Sequence, residues 1–311
     1  MSDIFSFNKS LMLKKFIKII LIFGIFIPIS LADNVVTTFV GSSVDKFYSS
    51  LSEGTSKVIK NYFGSEGTTE ATLTAGENMQ PMGSIVLVRP LTKMKIDNVW
   101  FTQTQINNYS IKGKDRQALN IGIGYRNLSE DNSYFFGFNT FFDIDSKNHQ
   151  RVSIGGELVS GPFELIGNYY SGLTGSITVG DYNERVLDGY DLILGGQIPY
   201  LPWAKIYYEN YSWDSIKNTK DSAGNKYSAE VRISKNLTLE AGLDDNDLTG
   251  QDEYIKVTYS YPPSDQPTIS DKLYTNKAFE NSDVSKQMLR KVKRTNKVVV
   301  ELEGALIVKG F

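Results

Sequence analysis

The sequence contains no cysteine and a single histidine, His149. Cysteine metal sites and thiol chemistry are therefore excluded, and a Ser–His mechanism would depend on one imidazole. The 33 basic and 35 acidic residues nearly cancel, so no overall charge favours nucleic acid as a partner. These absences predict a protein that is not an enzyme, with no catalytic residue, no metal site and no cofactor.

The N-terminus carries the one long apolar run. Three lysines at positions 14 to 18 precede Ile19–Leu31, and small residues stand at Ser30 and Ala32. This pattern predicts a secretory signal peptide over residues 1–32, with Sec-type export and cleavage before Asp33. The alternative, a membrane anchor, needs about 20 apolar residues, and the 13 residues of Ile19–Leu31 are short for that. If the mature chain crosses a membrane without such a helix, it must do so as a closed β-barrel.

The hydrophobic period changes along the mature chain. Residues 33–67 have apolar positions at roughly helical spacing, interrupted by Gly54, and predict a short periplasmic helical segment. From about Thr68 to Tyr261 the period is two, with Gly, Asn, Asp and Ser clusters between segments. Twelve strands are predicted, with starts near residues 68, 83, 98, 117, 133, 149, 163, 190, 204, 226, 237 and 252.

The polar face of these strands separates two architectures. In 119–126, Leu and Ile alternate with Asn120, two glycines and Arg126. A soluble β-sandwich usually places Lys, Glu and Thr on its exposed face, whereas small and polar residues suit a crowded barrel lumen. The pattern favours an all-β fold, a twelve-stranded antiparallel transmembrane barrel over residues 68–262, with outer-membrane lipid as a partner.

The same alternation predicts which side chains line the pore. A register slip of one residue would exchange the inner and outer faces. The proposed pore-lining residues are Asn120, Arg126, Asn139, Glu157, Glu230, Arg232 and Glu240.

Ordered motifs in the middle of the chain resemble the barrel of inverse autotransporters, the intimin/invasin family. The resemblance is most specific at Glu184–Asp191 and weaker from about residue 45 to residue 300. The other stretches that carry it are 98–103, 119–126, 137–143, 149–158, 168–170, 199–202 and 207–211.

The resemblance implies a twelve-stranded barrel in the bacterial outer membrane whose C-terminal helix and linker thread the pore. Residues 263–311 correspond to that part, and Val284, Met288, Leu289 and Val292 are spaced as a helical stripe. The proposed pore-helix residues are Met288, Arg290, Lys291, Lys293 and Arg294.

Six cations and no acid lie between Val284 and Val300. They would pair with lumen carboxylates such as Glu157, Glu230 and Glu240, or else form a solvated basic helix; the sequence leaves both open.

Two functions follow as expectations. The first is a translocator that exports or anchors its C-terminal segment at the cell surface, with barrel-assembly machinery and periplasmic chaperones as partners. The second is a passive, porin-like channel or structural barrel that has lost its exported passenger. Members of the family continue into immunoglobulin-like domains, whereas this sequence ends at Phe311, so adhesion and its partner are not transferred. A third alternative is a soluble secreted β-sandwich adhesin.

Overall fold

A computed structural model of the chain describes residues 66–76, 79–92, 97–217, 220–279 and 283–302. The predicted signal peptide, residues 33–65 of the predicted helical segment and residues 303–311 of the linker lie outside this part.

Fifteen β-strands account for most of the described residues. In chain order they are β1 (Thr68–Gly76), β2 (Met79–Pro90), β3 (Asn98–Ile111), β4 (Lys114–Leu128), β5 (Tyr134–Asp145), β6 (Gln150–Ser160), β7 (Phe163–Gly172), β8 (Ile177–Val179), β9 (Tyr182–Val186), β10 (Gly189–Ile198), β11 (Leu201–Trp213), β12 (Ser222–Arg232), β13 (Leu237–Asn246), β14 (Gly250–Tyr261) and β15 (Val300–Leu302).

Twelve of the strands form a closed antiparallel barrel, which confirms the twelve strands predicted from the period of two. The barrel closes where β1 pairs with β14, from Thr69 opposite Tyr261 to Gly76 opposite Tyr254. The other three strands form a small separate sheet in the order β15, β9, β8. The period of two did not predict these short strands.

The barrel wall has an apolar outer face and an inner face that is mostly polar. In β4, Ile121 is 48% exposed and Ile123 is 42% exposed, whereas Asn120 and Arg126 are fully buried. Large apolar side chains point outward on most other strands, among them Phe138, Ile154, Tyr169, Leu194 and Ile206. Such an exterior is stable against lipid and not against water. The closed barrel therefore replaces the soluble-sandwich alternative.

The two ends of the barrel differ in their connections. We call the end where β1 begins and β14 ends the terminal rim, and the opposite end the distal rim. The longest connection between barrel strands, residues 173–188, lies at the distal rim and contains β8 and β9. The small sheet is therefore built at the distal rim.

The chain after β14 first follows the terminal rim. The Arg232 guanidinium donates to the carbonyl of Pro267 at 3.1 Å, and the Trp203 indole donates to that of Leu273 at 2.8 Å. The chain then enters the lumen, where residues 283–302 run towards β15. The predicted 263–311 pore helix and linker thus begins as a strap along the rim.

The predicted helix in the lumen is wrong. The structure has one 3-10 turn, Ser285–Gln287, followed by a turn at residues 288–290 and then a chain without regular secondary structure up to β15. The stripe residues are nevertheless buried against the wall. A short helix pays a high nucleation cost, and lumen side chains supply the backbone hydrogen bonds instead. Among the described residues, no helix is long and apolar enough to span a bilayer.

Glycines of the inner face make room for aromatic rings. A Cβ at Gly124 would lie 2.4 Å from the Phe101 ring, whereas a Cβ at Gly196 would meet nothing closer than 3.8 Å. We expect Gly124→Ala to lower the free energy of unfolding by about 1–3 kcal/mol through overpacking. Urea unfolding in detergent micelles would measure this, with Gly196→Ala as the matched control. Equal midpoints for the two variants would contradict the explanation.

Candidate functional site in the barrel lumen

Arg126 of β4 joins the wall to the chain in the lumen. Its Nε donates to Glu157 Oε1 of β6 at 2.7 Å, while Nη1 donates to the carbonyls of Met288 at 2.9 Å and Arg290 at 2.7 Å. The guanidinium also lies 4.4 Å from the centre of the Phe101 ring. One fully buried side chain thus caps two backbone carbonyls of the segment and neutralises a wall carboxylate.

The fork of Arg126 can be tested by a change that keeps its charge. Arg126→Lys retains a cation for Glu157 but cannot reach the carboxylate and both carbonyls in one plane. We expect the free energy of unfolding to fall by about 1.5–3 kcal/mol, measured as a lower urea midpoint. Arg185→Lys, at a half-buried position of β9, is the control. An equal effect of both substitutions would show that the geometry of the guanidinium is unimportant.

Asp143 of β5 is the centre of a second buried cluster. Arg294 of the segment donates to it through both terminal nitrogens, at 2.9 and 2.7 Å. Arg151 of β6 donates from Nε at 2.9 Å, and Asn120 of β4 donates at 2.7 Å. The side chains of Asp143, Arg151 and Arg294 are fully buried. One carboxylate therefore compensates two guanidinium groups, one from the wall and one from the segment.

Glu164 of β7 receives three cations. Arg290 Nη2 and Lys205 Nζ each lie 2.5 Å from its carboxylate, and Lys293 Nζ lies 3.4 Å away. The ammonium of Lys293 also lies 3.5 Å from the centre of the Tyr207 ring. Two of these cations belong to the segment, so the wall and the segment share the neutralisation of this buried carboxylate.

The carboxylates that bind the segment differ from those predicted from the sequence. Asp143 and Glu164 are two of them, and Glu70 pairs with Lys291 at 2.6 Å. Among the predicted ones, Glu157 pairs with Arg126 of the wall, Glu240 pairs with Lys256, and Glu230 lines a cavity beside the segment. Alternation placed these side chains on the inner face, but it did not show which cation each would meet.

The two remaining proposed pore-lining residues, Arg232 and Asn139, do not bind the 283–302 segment directly. Arg232 is at the terminal rim, where it donates to the carbonyls of Pro202 at 3.3 Å and Pro267 at 3.1 Å. Asn139 is buried on the inner face of β5, and its amide makes no hydrogen bond with another described residue.

Wall side chains also form hydrogen bonds with the backbone of residues 292–296. The carbonyl of Lys293 accepts a hydrogen bond from Asn168 at 3.1 Å, that of Thr295 from Arg151 at 2.7 Å, and that of Asn296 from Asn120 at 3.0 Å. The amide of Val292 donates to Gln103 at 2.7 Å, and that of Thr295 donates to the Tyr170 hydroxyl at 2.8 Å. The segment can therefore cross the lumen without regular secondary structure.

The start of the segment packs on an apolar patch of the inner wall. Val284, Met288, Leu289 and Val292 are all buried in it. The wall residues of the patch are Val86, Val88, Val99, Phe101, Leu128, Phe135, Phe141 and Val159. Burial of apolar surface here contributes favourably to the free energy of docking.

The segment enters beside the turn between β4 and β5. The amide of Val284 donates to the carbonyl of Asn132 at 2.9 Å. In the same turn, hydrogen bonds from Ser133 and Ser129 lower the pKa of the Asp131 carboxyl to about 2. This carboxylate is therefore almost fully ionised, and able to accept those bonds, at neutral pH.

His149 lies in a turn, as predicted, but it is fully buried rather than an ordinary surface residue. Its Nδ1 lies 3.0 Å from Asp145, and Nε2 lies 3.4 Å from Glu184 of β9. Both neighbours are carboxylates, and neither supplies the serine hydroxyl that a Ser–His mechanism needs. Among the described residues, no group of three or more His, Asp or Glu is placed to hold a metal ion.

Comparison with known proteins places this barrel in a family. The sequence model of the family described as "Inverse autotransporter, beta-domain" matches residues 31–296. The chain belongs to the inverse autotransporter β-domain family. It is therefore a bacterial outer-membrane β-barrel domain of the intimin and invasin type.

Curated relatives of this inverse autotransporter domain are longer than the part that aligns. An attaching and effacing protein homolog of Escherichia coli K12 is 31% identical over 56% of this chain and 60% of its own. Invasin of Yersinia enterocolitica is 36% identical over 38% of this chain and 14% of its own. Intimin of E. coli O127:H6 is 27% identical over 60% of this chain and 21% of its own. The chain thus spans less than two thirds of each.

A solved structure supports the fold of this inverse autotransporter domain. It comes from work on the in-meso crystallisation of membrane proteins and superposes with a TM-score of 0.61. The match is 22% identical and covers 76% of this chain and 99% of the other.

Proposed function

We propose that the barrel translocates and then anchors its own C-terminal segment at the cell surface. The observation that carries this proposal is the path of residues 283–302. The segment begins beside Asn132 at the terminal rim and ends in β15, paired with β9 at the distal rim. The chain that follows Leu302 would therefore leave the pore at the distal rim.

The proposal places the terminal rim in the periplasm and the distal rim outside the cell. Both barrel ends lie at one rim because the strand number is even, as in bacterial single-chain barrels. In such barrels the longer connections face outward, and here the longest is the 173–188 connection at the distal rim. Export before barrel assembly would use the predicted signal peptide, periplasmic chaperones and the barrel-assembly machinery.

The lumen supports a mechanism without a nucleotide. Polar wall groups such as Asn120, Arg126 and Asn168 bond to backbone carbonyls, and backbone groups are common to every sequence. A hairpin of the linker in the lumen would meet the same donors while successive residues pass. The final position is specified by charge, through Arg290 on Glu164 and Arg294 on Asp143. What a passenger would bind is not specified by these residues.

Surface labelling of intact cells tests the proposal. We expect an epitope fused after Phe311 to bind antibody on intact cells expressing the full chain. Permeabilised cells control for expression, and heat-dependent gel mobility controls for barrel folding. An epitope that is reached only after permeabilisation, on a folded barrel, would contradict translocation.

A second function, passive conduction, is favoured by one observation. A cavity of about 540 Å3 remains between the segment and the wall of β1 and β11–β14. It extends from Ser264 near the terminal rim to Trp213 near the distal rim. Ions and small solutes are the species that a gap of this size would pass.

Planar-bilayer conductance of the full-length chain tests this second function. Ser228 of β12 lines the cavity, and its neighbour Ala229 has the opposite parity along the strand. We expect Ser228→Trp to reduce any steady conductance, with Ala229→Trp as the matched control. A non-conducting full-length chain, or equal conductance in both variants, would contradict passage through this cavity.

A further inference from the structure

The chain that leaves the lumen is captured as a strand at the distal rim. β15 pairs antiparallel with β9, with Val300 opposite Val186 and Leu302 opposite Glu184. Just before β15, the amide of Leu187 donates to the carbonyl of Val299 at 3.0 Å. The emerging chain therefore adds a third strand to the β8–β9 hairpin.

The side chain of Glu301 makes this pairing specific. Its carboxylate is fully buried, and it accepts hydrogen bonds from the loop that follows β11. The Ser215 hydroxyl donates at 2.7 Å, and the amides of Ile216 and Lys217 donate at 3.1 Å. Successive backbone amides directed at one carboxylate form an anion-binding concavity. A neutral or apolar residue at position 301 would leave these donors without an ionised acceptor.

Apolar side chains on both sides of Glu301 occupy a second part of the same site. Val298, Val300 and Leu302 are 1–2% exposed. They form one buried cluster with residues of β3, β4 and β9. These partners are Tyr109, Ile111, Ala118 and Val186. The distal rim thus binds residues 298–302 in two ways. It makes apolar contacts with the valine and leucine side chains, and it supplies hydrogen-bond donors to the Glu301 carboxylate.

A buried cluster of ionisable side chains joins the β8–β9 hairpin to the barrel wall. Glu184 of β9 binds Arg116 of β4 at 2.5 Å, and its other oxygen lies 3.4 Å from His149 Nε2. Asp145 of β5 binds the same two side chains, Arg116 at 3.3 Å and His149 Nδ1 at 3.0 Å. All four side chains are almost completely buried. This cluster pre-organises β9 as a binding edge, which reduces the entropy lost on strand addition.

We propose that the β8–β9 hairpin and residues 215–217 form a strand-binding site at the distal rim, which we call the exit latch. Its ligand is an extended, valine-rich segment with one carboxylate, namely residues 298–302 of the same chain. In strand addition, backbone hydrogen bonds supply affinity and side-chain pockets supply specificity. The latch deepens the proposed function, on which it rests, because binding at the outer rim disfavours sliding back into the pore.

Disulfide formation across the latch tests this proposal. The chain has no cysteine, so Val186→Cys with Val300→Cys creates the sole thiol pair, at positions that face each other across the two strands. We expect rapid disulfide formation in the full chain in intact cells under mild oxidation. Adding Glu301→Gln should slow it about tenfold, because an ionised hydrogen-bond acceptor is lost. Asp181→Asn, at an exposed position of the same hairpin, should leave the rate unchanged.

The outcomes separate the latch from the proposed function. An epitope after Phe311 that stays inside would overturn translocation itself. A surface-exposed epitope on a folded barrel whose thiols do not join would overturn the latch alone. So would an equal rate in Glu301→Gln and Asp181→Asn.

If the two cysteines hinder folding, amide hydrogen exchange of the chain without them replaces the disulfide measurement. Leu187 should be protected in the unsubstituted chain and should lose protection in Glu301→Gln. An unprotected Leu187 in the unsubstituted chain would overturn the latch.

Discussion

We expect Asp143→Asn to lower the free energy of unfolding by about 3–5 kcal/mol, the usual result of removing one partner from a buried ion pair. The carboxylate of Asp143 lies between Arg151 and Arg294, and all three side chains are fully buried. The substitution leaves two buried guanidinium groups with one neutral amide between them. The cost is therefore that of uncompensated cations rather than that of a lost hydrogen bond.

Urea unfolding in detergent micelles measures this loss, and heat-dependent gel mobility shows whether the barrel still forms. Asp115→Asn provides the control, since Asp115 is an exposed residue of β4. A midpoint no lower than that of Asp115→Asn would contradict the central position of Asp143.

A double variant tests the pairing more directly. Arg294→Gln removes one of the two cations, so Asp143→Asn should cost less in that background. We expect the two losses to differ from additivity by about 0.5–3 kcal/mol, as for other residues in one network. Strict additivity would show that Asp143 acts through the wall alone and does not hold the segment.

The second large effect is expected from a chain that ends at Tyr261. Removing the segment takes away the side chains that cover the apolar inner patch around Phe101 and Phe135. It also empties the part of the lumen that Arg290 and Arg294 occupy. We expect an open, ion-conducting pore whose single-channel conductance clearly exceeds that of the full-length chain.

A chain that ends at Leu302 is the matched control for this truncation. It keeps residues 283–302 and the contacts that the structure describes for them, so its conductance should equal that of the full-length chain. Equal conductance in the chains ending at Tyr261 and Leu302 would contradict the segment as the main obstruction. A high conductance in both chains, and in the full-length chain, would favour the passive channel.

The sequence predicted the strands and their two faces because both follow from local geometry. Successive side chains of a strand point to opposite sides, so Asn120 and Arg126 could be assigned to the inner face without knowing any neighbouring strand. The same rule would have identified Asp143, which shares the parity of Asn139 in β5. Parity did not reveal the cluster around Asp143, because it contains no information about partners in other strands.

The sequence by itself determined that residues 68–261 form twelve alternating strands and that cations dominate the segment 284–300. Only the tertiary structure decided which carboxylates those cations meet. Asp143 and Arg294 are 151 positions apart, and closure of the barrel brings them together. The same holds for the segment's conformation. Its stripe was compatible with a helix. Wall groups such as Gln103 and Arg126 bind its backbone directly, so the conformation of the segment depends on the surrounding barrel and not on local propensity.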